Sequence, residues 1–107
     1  MVFGGCVLAS AAGCGSGGVS AADTRKADHR VRLIRTVSAD IERVERIGSW
    51  NGSDDVLTAW LKVTRKDGVR YVVCIAVDIL GPANERNLGL VVTTQPERAC
   101  KGAKPTP

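Results

Sequence analysis

The stretch Leu57-Thr-Ala-Trp-Leu-Lys-Val-Thr-Arg-Lys-Asp-Gly-Val-Arg-Tyr-Val-Val-Cys-Ile-Ala-Val-Asp-Ile79 holds two alternating runs around a turn signal, and their pairing decides the fold. In the first run Leu57, Ala59, Leu61 and Val63 alternate with Thr58, Trp60, Lys62 and Thr64. In the second, Tyr71, Val73, Ile75, Val77 and Ile79 alternate with Val72, Cys74, Ala76 and Asp78. A period of two marks a strand with one buried face, so the runs are expected to form a hairpin. A strict two-residue loop at Asp67-Gly68 would pair Leu61 with Cys74 and scatter apolar side chains over both faces. A three-residue loop, Lys66-Asp67-Gly68 with Gly68 left-handed, instead pairs Leu61 with Val73, Ala59 with Ile75 and Leu57 with Val77. That register yields one continuous apolar face. It also sets Trp60 opposite Cys74 on the other face, beside Thr58, Lys62 and Ala76.

Asn51-Gly52 is a second hairpin signal and calls for a strand on each side. Ile41 to Trp50 is therefore expected as a strand, although Ile41, Val44 and Ile47 recur every three residues and also fit a continuing helix. After Gly81-Pro82-Ala83-Asn84 opens a loop, a last strand is expected over Leu88 to Thr94. Lys101 to Pro107, with its two prolines, reads as a frayed tail. Upstream, Asp23 to Val37 places Val31, Ile34 and Val37 at a spacing of three, with Leu33 widening the stripe, which suits an amphipathic helix. The expected class is α+β, one N-terminal helix packed on a four-stranded antiparallel meander sheet. This order is loosely similar to cystatin-like and nuclear-transport-factor-like folds, a likeness that carries no function.

The chain has 107 residues, and its 15 Lys and Arg and 11 Asp and Glu all lie after Ala22. Residues 1–22 hold no charge, six of the 12 Gly and two of the four Cys. They are too poor in large apolar side chains for a core and too uncharged for a solvated surface, so they read as a processing segment. Within them Ala11-Ala12-Gly13-Cys14 resembles the lipobox of bacterial lipoproteins, in which small residues lead to a cysteine that is lipidated and becomes the mature N-terminus. Gly15-Ser16-Gly17-Gly18 resembles the flexible tether of lipoproteins from high-GC Gram-positive bacteria. The resemblance implies a signal peptide over 1–13, a lipidated Cys14 and tether over 14–22, a domain over 23–100 and a tail over 101–107. It places the chain on the outer face of a bacterial membrane, anchored by lipid. Ordinary secretory cleavage after Ala22 is the alternative, because Ser20-Ala21-Ala22 also offers small residues at suitable offsets.

Export gives the two remaining thiols, Cys74 and Cys100, a meaning as one disulfide. Such a bridge contributes about 3 kcal/mol through the unfolded state. With Cys74 on the outer face, it straps the C-terminal segment across the sheet and partly covers Trp60. Trp60→Ala is then expected to destabilise less than Leu61→Ala, where a buried cavity costs about 2 to 5 kcal/mol.

The net charge is +4, and Arg25, Lys26, Arg30, Arg32 and Arg35, set against Asp23 and Asp28, concentrate it in the helix. Either this is a solvated helix face, or it lies on anionic phospholipid or wall polymer, each cation near a membrane surface adding up to about 1 kcal/mol. Nucleic acid is disfavoured by an aromatic content of 4% and by the export signal. The inventory for chemistry is thin. His29 is the single histidine and reads as an exposed polar residue, and Ser38, Ser49 and Ser53 have no evident histidine partner. Asp54-Asp55 reads as turn chemistry rather than a calcium loop, and Asn51-Gly52-Ser53 fits a glycosylation triplet. Two cysteines without imidazole neighbours make a poor zinc site, and no metal or cofactor is expected.

The sum is a lipid-anchored, non-catalytic envelope protein that binds a protein, a wall polymer or a small ligand, with Trp60, Thr58 and Lys62 as a candidate partner face. The alternatives are an inhibitor or immunity-type protein of an exported hydrolase, or a small enzyme using carboxylates such as Asp78 and Glu85. For Asp78 a salt bridge with Arg70 or Arg86 is the structural expectation.

Overall fold

A computed structural model of the chain describes residues 19–53 and 55–107. Ala11, Ala12, Gly13 and Cys14, the glycine-rich run expected to be a tether and Asp54 lie outside the described residues. Helix α1 (Ala21–Val37) starts where the Ser20 hydroxyl accepts the Asp23 N–H at 3.1 Å, a side-chain cap for an otherwise unpaired donor. Val19, just before the cap, already packs against the core. The folded region therefore begins ahead of Asp23, the residue expected to open it. Asp23 in the first turn and Arg35 in the last both suit the helix dipole.

Four strands follow as an antiparallel meander in the order β1-β2-β3-β4, namely β1 (Ile41–Ser53), β2 (Val56–Arg65), β3 (Arg70–Asp78) and β4 (Val92–Gln95). The fold is α+β, as expected. In the β2–β3 hairpin Leu61 pairs with Val73, Ala59 with Ile75, Leu57 with Val77 and Trp60 with Cys74. Gly68, at φ +91°, supplies the left-handed residue of the loop and donates its N–H to the Arg65 carbonyl at 3.0 Å. One apolar face results. Leu57, Ala59, Leu61, Val63, Ile75 and Val77 from that face bury Ala27 and Val31 of α1, together with Trp50 and Ile79.

The first hairpin differs from expectation. Asn51 and Gly52 pair with Thr58 and Leu57 inside the ladder, and Ser53 pairs with Val56, so Asn51-Gly52 lies within the strand and is not the turn. β1 is a strand with register shifts between Ile41 and Arg43 and between Ile47 and Asn51; the first puts Ile41 and Val44 on one face, while Val44 and Ile47 pair regularly with Val63 and Trp60 and face opposite ways. A bulge moves the following side chains to the other face. Ile41, Val44 and Trp50 accordingly reach the core under α1, whereas Ile47 joins the outer face.

The expected strand over Leu88 to Thr94 is also revised. Leu88–Val91 forms a single helical turn, α2, that buries Leu88 and Val91 at a spacing of three and leaves Leu90 exposed, and only then does β4 begin. Pairing of Val77 with Val92 and of Ile75 with Thr94 closes the sheet.

On the outer face, Cys74 and Cys100 lie at disulfide distance, 5.9 Å between Cα atoms. They form a second small core with Trp60, Val72 and Ile47. Trp60 is 6% exposed and donates its indole N–H to the Lys101 carbonyl at 3.2 Å. The segment read as fraying from Lys101 thus covers this tryptophan, and Lys104 pairs with Glu97 at 2.7 Å. Full burial of Trp60 reverses the expectation that its loss costs less than that of Leu61.

Candidate binding groove

At about 1.5 Å per residue the 17 residues of α1 span about 25 Å, and the two halves of the helix meet the sheet differently. The middle of the helix is pinned by two polar clips. In the first, the Asp28 carboxylate accepts bonds from Arg46 Nε at 2.8 Å, Arg46 Nη2 at 3.2 Å and Trp50 Nε1 at 2.8 Å. Arg46 also sits over the Trp50 ring at 5.7 Å and donates to the Gly48 carbonyl. Partial burial alone would raise the Asp28 pKa, but the Arg46 and Trp50 hydrogen bonds outweigh it and hold the carboxyl below its ordinary value.

The second clip is Arg30. Its guanidinium donates to the carbonyls of Ile79 at 3.1 Å, Gly81 at 2.7 Å and Lys26 at 3.2 Å, tying the helix to the end of β3. At 7% exposure it is a buried structural residue and not part of a basic surface, which corrects its expected place beside Arg25, Lys26, Arg32 and Arg35. An arginine three residues from the buried Ala27 falls on the same helix face, and that spacing was the available signal.

The C-terminal half of α1 has no such clip. Ile34 is half-buried and Val37 is 45% exposed, so the stripe expected to be core lifts away from the sheet. Beneath it lies an open apolar groove of about 460 Å³. Leu61, Val63, Val73 and Ile75 form its floor, Ile34, Val37, Ser38 and Ile41 one wall, and Leu88, Gly89, Val92 and Thr94 the other, with Tyr71 and Glu85 among its lining. The volume falls within the ordinary range for small-ligand sites. Since its lining runs from β1 to β4, the groove crosses three strand spacings, about 14 Å.

A second concavity of about 450 Å³ flanks the other side of the same helix end. Arg32, Arg35, Thr36 and Ala39 of the helix and its exit line it, with Ile41, Arg43 and Val44 of β1 and Lys66 of the β2–β3 turn. The Lys66 N–H donates to the Asp40 carbonyl at 2.8 Å, which holds the turn against the helix exit. Ile41 forms a wall of both concavities. No family model, curated protein or solved structure matches the chain.

The remaining residues singled out in the sequence fall as follows. Arg25, Lys26 and His29 are exposed along α1, and Arg32 and Arg35 are exposed at the basic concavity. Thr58 and Lys62 are half-buried on the outer face, but Trp60 is covered and offers no partner surface. Asp78 accepts the N–H groups of Leu80 at 2.8 Å and Gly81 at 3.2 Å, so its role is to close the turn after β3, in place of the salt bridge expected of it. Glu85 stands exposed in the first turn of the short helix Glu85–Asn87, whose cap is the Asn84 side chain. Arg43 and Lys66 escaped the sequence reading because only the chain pairing brings them to the end of α1.

Proposed function

We propose that this chain is a lipid-anchored binding protein of the outer face of a bacterial membrane, non-catalytic, with its ligand seat in the groove between α1 and the sheet. The observation that carries the reading is the groove itself. Above a buried floor, Ile34, Ile41, Val73 and Val92 stay half-buried and Val37 and Tyr71 exposed around an open concavity of about 460 Å³, beneath a helix clipped at its middle. An apolar concavity of this size is the default binding site of a small domain.

Two further features support the setting. A cysteine pair at bonding distance suits an oxidising compartment. Val19 and Ser20, which pack the core and cap α1, would be lost by cleavage after Ala22, and this favours processing at Cys14 over the alternative. No helix among the described residues is long and apolar enough to cross a membrane, and in this reading the acyl chain on Cys14 does the anchoring.

The test has two parts. Bacteria expressing the chain are labelled with an alkyne analogue of palmitate, and the envelope fraction is analysed by mass spectrometry. Label on a mature chain beginning at Cys14, lost in Cys14→Ser, is expected; a chain beginning at Asp23 overturns the anchor. Native mass spectrometry of the purified chain is expected to show a co-purifying apolar molecule that Val73→Trp, placed on the groove floor, displaces without lowering the thermal midpoint. Turnover on wall fragments that Asp78→Asn or Glu85→Gln abolishes would overturn the non-catalytic reading.

A further inference from the structure

The groove is chemically polarised along its length. At its β4 end the charged lining residue is Glu85. At its β1 end, across Ile41, lie Arg32, Arg35, Arg43 and Lys66, contributed by three elements, and no carboxylate lines that concavity. Arg43 shares an exposed ion pair with Glu45 at 3.4 Å, an interaction of the weak kind, so the cluster keeps its excess of positive charge. An anionic group is attracted to one end of the groove and repelled from the other.

We infer that the ligand of the groove is a single-chain amphiphile with an anionic head, its chain laid over Val37, Tyr71 and Val73 and its head turned past Ile41 toward Arg32, Arg35, Arg43 and Lys66. This rests on the groove being the binding site and adds the class and direction of its occupant. Arginine suits the head because its planar fork grips phosphate and carboxylate oxygens in pairs. The chain suits the groove because Ile34, Ile41, Val73 and Val92 are only half-buried and Val37 and Tyr71 are exposed at 45% and 37%, so apolar surface remains there for a ligand to cover. Phosphate monoester, phosphodiester and carboxylate heads share the required chemistry.

The experiment uses the full-length chain carrying Cys14→Ser, with the Cys74–Cys100 bridge oxidised, titrated by calorimetry below the micellar concentration. Three probes of equal chain length are compared: lysophosphatidylglycerol, lysophosphatidylcholine and an alkyl maltoside. The anionic probe is expected to bind about tenfold tighter than the other two. Arg32→Gln/Arg35→Gln removes that preference and leaves maltoside binding as it was, while Arg70→Gln/Arg98→Gln, a change of equal charge outside both concavities, keeps it. Equal binding of all three probes overturns the anionic head and leaves the groove reading standing. Binding of none overturns the groove reading itself. Free glycerol phosphate competing as well as the whole lysolipid overturns the role of the chain and identifies a simple anion site.

Discussion

Gly52 shows how one backbone position can set a whole hairpin. It has φ +130°, and a Cβ built there would lie 2.4 Å from the Val56 carbonyl oxygen, a backbone atom that cannot swing aside. Gly52→Ala is expected to cost about 2 kcal/mol or more in a urea titration. Gly68→Ala, also left-handed at φ +91° but with open space around it, is expected to cost about 1 kcal/mol. Asp28 supplies a pH-dependent contribution. Because its folded pKa is lowered, the stabilisation is complete above the unfolded value of about 3.9 and is lost as the pH falls through the folded one. Asp28→Asn should therefore lower stability by about 2 kcal/mol near neutrality, and the gap to the parent chain should close below pH of about 4. A gap that is constant through acid would locate the effect in packing. Neither residue role was legible in the sequence: Gly52 read as a turn residue, and Asp28 as one of two carboxylates diluting a basic helix.

The β2–β3 hairpin was legible down to its register, because strict alternation on both sides of Asp67-Gly68 leaves one loop length that gathers the apolar residues. β1 was not. A register shift after Ile41 sets Ile41 and Val44 on one face, and Ile47 is apolar for the opposite face, so a spacing of three arises that without the partner strand is indistinguishable from a helix face. The last strand misled for a related reason, since Leu88, Leu90 and Val92 alternate although Leu88 and Val91 are the pair that is buried. The outer face carries the clearest test at this scale. With Trp60 sealed by the segment after Cys100, Trp60→Ala is expected to cost about 3 to 5 kcal/mol, no less than Leu61→Ala. Reduction of the bridge is expected to lower stability by about 3 kcal/mol and to open one indole to acrylamide quenching, read by fluorescence. An unchanged quenching constant would mean that the tail holds without its strap.

For the molecule as a whole, composition pointed to one small domain, and charge asymmetry set residues 1–22 apart from the rest, but neither revealed the groove between α1 and the sheet. The groove follows from where the clips are: Asp28 and Arg30 both act on the middle of α1, and beyond the buried Val31 only half-buried residues such as Ile34 hold the helix down. A chain beginning at Asp23 forfeits the Ser20 cap and the Val19 contact and is expected to be less stable by about 1 kcal/mol or more than one beginning at Cys14, measured in denaturant. β1 has a wider consequence. It is one of the two edge strands and the longest strand, at 13 residues, and an unbroken edge of that length is a template onto which a second copy can add. The two register shifts and the charges of Glu42, Arg43 and Glu45 break that edge into short, mismatched pieces. Molecules held in two dimensions, as the proposed anchor would hold these, meet far more often than free ones, and a crooked edge strand would let them crowd without polymerising.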